Sequence, residues 1–301
     1  MRFLVTGGAG FIGSNIVRRL VSDGNEAVVL DNTSLGNIDN LRGLPEGRLK
    51  VSIGDVRDWS SLEGLAKDVD GIFFDAAKSS APMFHPDPRE GVDVNLKGFL
   101  NAVEAARRYD LPLVYASTSS LYSRCDPPHR EEMQVRAGSF YEYSFYVREQ
   151  AASLYAELYG ISAVGLRYFS VYGPREEHKG SYANNISQFL WEMARGRAPV
   201  IYGDGGQTRD FIYVEDVVDA NLLAMRSGLK GEVVNVGTGV ATSFNEVVEL
   251  LNQELGTSIR PEYVPNPIRN YVMHTRADTG KAEHLIKFRA RVPLREGIKR
   301  L

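Results

Sequence analysis

One glycine-spaced turn, read in two overlapping registers, and a strand-end acid carry the first chemistry in this chain. The stretch "VTGGAGFIGSN" sets Gly7, Gly10 and Gly13 three residues apart, and Gly8, Gly10 and Gly13 also satisfy G-x-G-x-x-G. A turn without Cβ atoms lets backbone approach a pyrophosphate, and the amides at a helix N-terminus then hold that anion. A tight structural turn is the competing reading. Asp31 ends the next apolar run, "EAVVLD", about 20 residues on, where a carboxylate accepts hydrogen bonds from an adenosine ribose. It would repel a 2′-phosphate, and Asn32 rather than Arg follows it, so NAD is expected over NADP. Asp55, in "GDVRD", closes a third apolar run. It either caps the helix that follows or reads an adenine from the sheet edge, and the two roles are compatible.

Such a loop works only between a strand and a helix, and the surrounding pattern supplies both. "RFLVTG" is a buried strand, and "GFIGSNIVRRLVSDG" has apolar residues at helical spacing. Further strands are expected at "EAVVLDN", "LKVSIGDV", "GIFFDAA", "LPLVYASTSS" and "SAVGLRYF", with long helices at "REGVDVNLKGFLNAVEAARRYD" and "SFYEYSFYVREQAASLYAELYG". Strands alternating with helices imply right-handed crossovers and a parallel sheet covered on both faces. The fold class is therefore α/β, a Rossmann-type doubly wound parallel sheet with a smaller α/β substrate lobe. After Phe169 the texture changes. "SVYGPREEHKGSYANN" reads as a polar loop, "PVIYGDGGQTRDFIYV" as a hairpin-like pair, and helices and one more strand follow. The expected division is 1–168 with about 210–237 for the cofactor domain, and 169–209 with about 238–301 for the substrate lobe.

The bulk numbers exclude several classes. The 301 residues are 43% hydrophobic and 24% charged, as in a globular protein. A net charge of −3 gives no case for nucleic acid or an anionic membrane as partner. Cys125 is the single cysteine, so no disulfide closes within the chain. No charged leader and no apolar span of ~20 residues is visible, which makes the cytoplasm the expected location. No His/Cys/Asp cluster has metal-ligand spacing.

Taken together, "TGGAGFIGSN", "LDN", "GDVRD", "VNLKGFLNAVEAAR", "YASTSSLYS", "LRYFSVYGPR" and "GDGGQTRDFIYVEDVVDA" resemble the extended short-chain dehydrogenase/reductase family, in its NAD-dependent nucleotide-sugar epimerase/dehydratase branch. The general pattern is similar to UDP-glucose 4-epimerases; "YGPREEHKGS" and "RDFIYVEDV" are similar to ADP-heptose 6-epimerases. The resemblance implies a homodimer joined through the two long helices, tightly bound NAD, and a nucleotide sugar, a UDP-sugar by preference, between the lobes. It implies that a tyrosine removes a hydroxyl proton while the sugar carbon yields hydride, and that the keto-sugar turns over before the hydride returns. No metal is needed.

Residue by residue, the resemblance makes Tyr141 and Thr118 the catalytic pair. It assigns Phe11, Ile12, Val56, Ala76, Ala77, Lys78, Asn95 and Ser117 to the cofactor with the residues above. It assigns Ser170, Asn185, Tyr202, Arg209 and Arg269 to the substrate, the two arginines for its diphosphate. The chain also departs from the pattern. Ser170 stands where the family has Asn, Ser123 where it has Gly, and Phe74-Asp75 where it has His-Leu. Most pointedly, Phe145 stands where the family's Tyr-x-x-x-Lys places lysine. That lysine holds the nicotinamide ribose and lowers the tyrosine pKa; an unperturbed tyrosine near 10 is a poor base at neutral pH. Lys78 is a candidate to supply the charge, against the plainer readings of a salt bridge to Asp75 or a solvated loop lysine. Two readings of function stand: a UDP-hexose 4-epimerase, with an ADP-heptose 6-epimerase or dehydratase as its variants, or a protein that binds NAD and nucleotide sugars with impaired catalysis.

Overall fold

The computed structural model describes residues 1–267 and 271–301. In chain order the strands are β1 Arg2–Thr6, β2 Glu26–Asp31, β3 Leu49–Ile53, β4 Gly71–Phe74, β5 Leu113–Thr118, β6 Ala163–Tyr168, β7 Ser170–Tyr172, β8 Val200–Tyr202, β9 Thr208–Arg209, β10 Phe211–Tyr213, β11 Lys230–Val236, β12 Thr242–Ser243 and β13 Glu262–Val264. The helices are α1 Phe11–Ser22, α2 Trp59–Ala66, α3 Arg89–Tyr109, α4 Phe140–Tyr159, α5 Asn185–Met193, α6 Val214–Met225, α7 Phe244–Leu255, α8 Gly280–Ile286 and α9 Leu294–Lys299.

Seven strands form one parallel sheet in the order β3-β2-β1-β4-β5-β6-β11. The central strands are apolar on both faces because helices cover both. Val5, Phe73, Val114 and Leu166 pack with Ile16 and Val17 of α1 and Val217 of α6. Their neighbours in sequence, Leu4, Ile72, Phe74 and Leu113, face the other way onto Leu62, Phe99 and Ala152. This period-2 division puts α1 and α6 on one face and α2, α3 and α4 on the other. Chain order reverses between β1 and β4, and the crevice at their C-terminal ends is where open α/β sheets take ligands.

A third core joins Phe189, Phe211, Phe244, Val247 and Leu251, away from the large sheet. Here the expected hairpin is absent. β8 pairs in parallel with β13, β10 in parallel with β7, and β9 antiparallel with β12. The glycines of "YGDGGQ" do turn the chain, but hydrogen bonds go to more distant segments that bury the aromatic positions better. The start of the expected polar loop is itself β7, since Ser170–Tyr172 completes the β10 ladder. Among the described residues, no helix is long and apolar enough to cross a membrane, and no group of His, Cys, Asp or Glu is arranged to hold a metal.

Candidate active site

The glycine loop builds one wall of a deep cleft at the switch point. Gly7 has φ +68°, and a Cβ there would lie 2.8 Å from the Ala76 amide nitrogen; a Cβ on Gly13 would run into the Gly7 carbonyl. The loop therefore folds this tightly only with glycine. α1 begins from Gly10 without any side-chain cap, so its first-turn amides, from Phe11 to Gly13, are left open. All five of Gly7, Gly10, Phe11, Ile12 and Gly13 line the cleft. Asp31 lies beside them. Its Oδ2 accepts from the Ala9 amide at 2.9 Å and its Oδ1 from the Thr33 amide at 2.7 Å. Each carboxylate oxygen keeps further acceptor capacity for a pair of hydroxyls. An uncapped helix start, a Cβ-free cradle and a fixed acid fit a dinucleotide such as NAD.

Asn32, Val56, Ala76, Ala77, Lys78, Ser117, Thr118, Tyr141 and Ser170 line the same cleft. Other assigned residues do not. Asp55 is held by the Arg57 fork and Asn32, and the Arg57 hydrogen bonds pull its carboxyl down to about 2. It does not cap the next helix: Asp58 does, accepting from the Ser60 amide. Asn95 is fully buried, with both amide hydrogens bonded inside the protein. It accepts from the Lys78 amide and donates to the Lys78 carbonyl and to Ser144, so it fixes the loop after β4 instead of facing the cleft. Ser117, although on the cleft wall, donates its hydroxyl to Glu149 at 2.5 Å, within a buried network of Glu149, Arg167, Tyr122 and Asn235. Asn185 only starts α5; the preceding Asn184 lines the cleft and caps the helix. Tyr202 is exposed on β8. Arg269 lies outside the described residues.

Tyr141 is the first α4 residue after Phe140, where Ser139 caps the helix by accepting from the Glu142 amide. The phenol donates to Thr118 Oγ1 at 3.1 Å. Burial raises the phenol above its ordinary value, while the Thr118 hydrogen bond and the positive charge of Arg148 pull it back. Lys78 lines the same cleft, with its ammonium paired to a carboxylate away from the phenol. Asn95 holds its backbone so that its side chain meets Glu90, at 3.5 Å, and not Asp75.

Tyr141, Ser119, Ser120 and Ser170 also line a second cleft, between the large sheet and the third core, whose far wall carries Arg209 and Tyr271. The Arg209 guanidinium lies between the Tyr271 and Phe244 rings, at 5.3 and 5.5 Å, and donates to the Thr208 and Met273 carbonyls. Among the described residues no carboxylate pairs with it, and burial lowers its pKa. An uncompensated, oriented guanidinium is suited to an anionic group. Sequence reasoning missed Glu176 and Lys179, which line the first cleft with Tyr182; their stretch of polar residues gave no periodic signal. It also missed Arg148.

The fold and these clefts define a dinucleotide-binding α/β enzyme with a tyrosine–threonine pair where two ligand clefts meet. The chain belongs to the NAD dependent epimerase/dehydratase family, whose model matches residues 3–237. It is 38% identical, over 99% of its length and 96% of the relative's, to a putative UDP-glucose 4-epimerase of Methanocaldococcus jannaschii. A UDP-N-acetylglucosamine 4-epimerase of Methanobrevibacter ruminantium, solved with UDP-N-acetylmuramic acid, superposes with TM-score 0.94 at 31% identity, covering 99% of this chain and 96% of that one. A Thermus thermophilus UDP-glucose 4-epimerase solved with NAD gives 0.88 at 34%, covering 99% and 97%.

Proposed function

We propose that the chain is an NAD-dependent epimerase inverting C4 of a UDP-hexose. The observation that carries this reading is the Tyr141–Thr118 hydrogen bond at the point where the clefts meet. The first cleft, with its glycine cradle and Asp31, takes NAD through the residues that line it. The second takes the sugar nucleotide, with Arg209 on its diphosphate. When bound, NAD supplies a reversible hydride acceptor. Once ionised to the phenolate, Tyr141 Oη takes the proton of the sugar hydroxyl and returns it, and Thr118 relays or steadies that proton. On this reading the chain divides into a cofactor domain of 1–168 with about 210–237 and a substrate lobe of 169–209 with about 238–301, although Phe211 and Tyr213 pack in the third core and Ala282, Ile286 and Phe288 in that of the large sheet. The expected place is the cytoplasm.

The same reading makes the protein a dimer. Phe140, Tyr143, Leu154 and Leu158 are exposed along one side of α4, beside an apolar groove of Val92, Leu96 and Leu100 on α3. Two copies pairing these helices would cover that surface. A second reading, binding of NAD and sugar nucleotide with weak catalysis, is favoured by Phe145 alone. Incubating the NAD-loaded protein with UDP- and ADP-sugars and following them by NMR separates the two. Interconversion of a C4 pair supports the first; tight binding of UDP-sugars with no conversion supports the second. Conversion of an ADP-heptose instead would overturn the substrate assignment.

A further inference from the structure

Among the described residues, Arg148 is the largest side chain wholly shut from solvent. It stands seven residues after Tyr141, two turns along α4 and on the same side of the helix. Its Nη1 donates to the Ala116 carbonyl at 2.9 Å and its Nη2 to the Asn95 carbonyl at 3.1 Å, while Nε has no partner. The guanidinium lies over the rings of Phe145, Phe74 and Phe99 at 4.6, 4.9 and 5.4 Å. Among the described residues no carboxylate forms an ion pair with it. The carboxyls of Asp75 and Glu149 and the phenols of Tyr115 and Tyr141 attract it across the cluster without a hydrogen bond. Burying a cation with so little compensation is expensive, and a folding role alone is served as well by an apolar side chain. Burial lowers its pKa only to about 10, so it is charged at neutral pH.

The surroundings connect this charge to the phenol. The Phe145 ring touches both groups, 5.1 Å from the Tyr141 ring and 4.6 Å from the guanidinium. The carbonyl that Nη1 binds is two residues before Thr118, the acceptor of the Tyr141 proton. Other elements offer little positive charge here. Phe84 meets Tyr141 edge-on, Thr118 and Ser120 contribute hydroxyls, and Lys78 is turned to Glu90. Glu142, on α4 itself, raises the phenol pKa while bonded to the Gly138 amide and Ser123. His85, Arg124 and Arg209 share the second cleft with Tyr141, without a hydrogen bond to it.

We propose that Arg148 is the positioning residue for Tyr141, a buried cation acting through Phe145 that does the electrostatic half of the work a lysine at 145 would do. It rests on the reading of Tyr141 as the acid/base. Arg148 does not hold the cofactor, because its bonded N–H groups point to carbonyls inside the protein. The aromatic ring at 145 thus belongs to the arrangement: it seats the guanidinium and excludes water between cation and phenol.

The test is the pH profile of the NAD-loaded enzyme, with kcat and KM for UDP-glucose measured separately, and the Tyr141 phenolate titrated by ultraviolet absorbance against Tyr141→Phe. Arg148→Met removes the charge; Arg148→Gln removes it but keeps two N–H donors for the carbonyls. A unit charge within about 10 Å at an effective dielectric near 20 is worth roughly one pH unit. Both variants are therefore expected to move the ascending limb of kcat and the phenolate titration up by about one pH unit. At neutral pH kcat falls about tenfold, with KM unchanged. Arg148→Lys restores the wild-type limb, and so does Phe145→Lys placed in the Arg148→Met background. Folded, NAD-loaded Arg148→Met or Arg148→Gln with an unmoved limb and titration would overturn the proposal. If neither folds, Arg148→Lys decides: a limb displaced although the cation is kept refutes it. A wild type that converts no nucleotide sugar, yet whose phenolate titration shifts in these variants, would sink the epimerase reading and leave this one standing.

Discussion

Replacing Asp75 by Asn should make the protein's stability less sensitive to pH, by an amount the structure sets. Asp75 follows β4 at the floor of the first cleft. Its Oδ1 accepts a long hydrogen bond from the Tyr168 hydroxyl, 3.3 Å, and its Oδ2 has no partner. Burial lifts the carboxyl from its ordinary 3.8 to about 7, against the pull of Tyr168 and Arg148. Between those values the folded chain holds a proton that the unfolded chain has released, so stability is lost as pH rises through the window. Linkage with these two values gives a loss of about 2.5 kcal/mol between pH 5 and pH 8, out of about 4 kcal/mol over the whole window. Asparagine keeps the shape and the acceptor for Tyr168 but does not titrate. Its extra N–H adds a penalty that is the same at every pH, which leaves the pH-dependent part clean. Urea unfolding of both proteins at the two pH values, with equal NAD, reads it from the midpoints at constant m. Between pH 5 and pH 8 the stability difference should move by about 2.5 kcal/mol in favour of the Asp75→Asn variant. Parallel pH curves, within about 0.5 kcal/mol, would show that Asp75 is ionised in the fold and that the burial argument is wrong.

Three further outcomes follow from the geometry. Tyr141→Phe should lower kcat by about 10²- to 10⁴-fold while NAD stays bound, read by NMR turnover and cofactor absorbance; a loss smaller than tenfold would move the acid/base elsewhere. Glu149→Ala leaves the Arg167 guanidinium buried without the carboxylate that now holds it at 2.9 and 2.7 Å, and urea unfolding should show a loss of about 3–5 kcal/mol. Leu158→Glu puts a charge in the exposed apolar side of α4, and sedimentation should show monomer in place of dimer; a dimer of unchanged affinity would place the interface on another surface.

Much of the sheet was legible in the sequence because its strands are short apolar runs separated by amphipathic ones, and each run needs only local periodicity to be seen. The helix boundaries were legible for the same kind of reason: Ser139 and Gly160 bracket α4 as cap and left-handed stop, and both are local signals. The second lobe was less so. Whether "PVIY" and "RDFIY" pair with each other or with distant β13 and β7 is decided by which partner buries Ile201, Phe211 and Tyr213, and no local pattern carries that choice. The cofactor wall was readable because glycine and the strand-end acid act through backbone geometry. Asn95 was not, because an amide at a helix position gives no sign of which side its hydrogen bonds go.

The departures at 74, 75 and 145 show why single positions mislead. Read along the chain, each is an isolated loss: an imidazole, an aliphatic side chain and a lysine, exchanged for Phe, Asp and Phe. In space they surround one group. Phe74 and Phe145 offer their ring faces to the Arg148 guanidinium, and Asp75 supplies the nearby acid. A lysine at 145 would put a second cation against Arg148 in a medium where like charges repel strongly. The two arrangements are therefore alternatives, and Phe145 is what a buried arginine at 148 requires. Under this argument, introducing Phe145→Lys alone should impair the protein, and only removing the Arg148 charge as well should make the lysine useful.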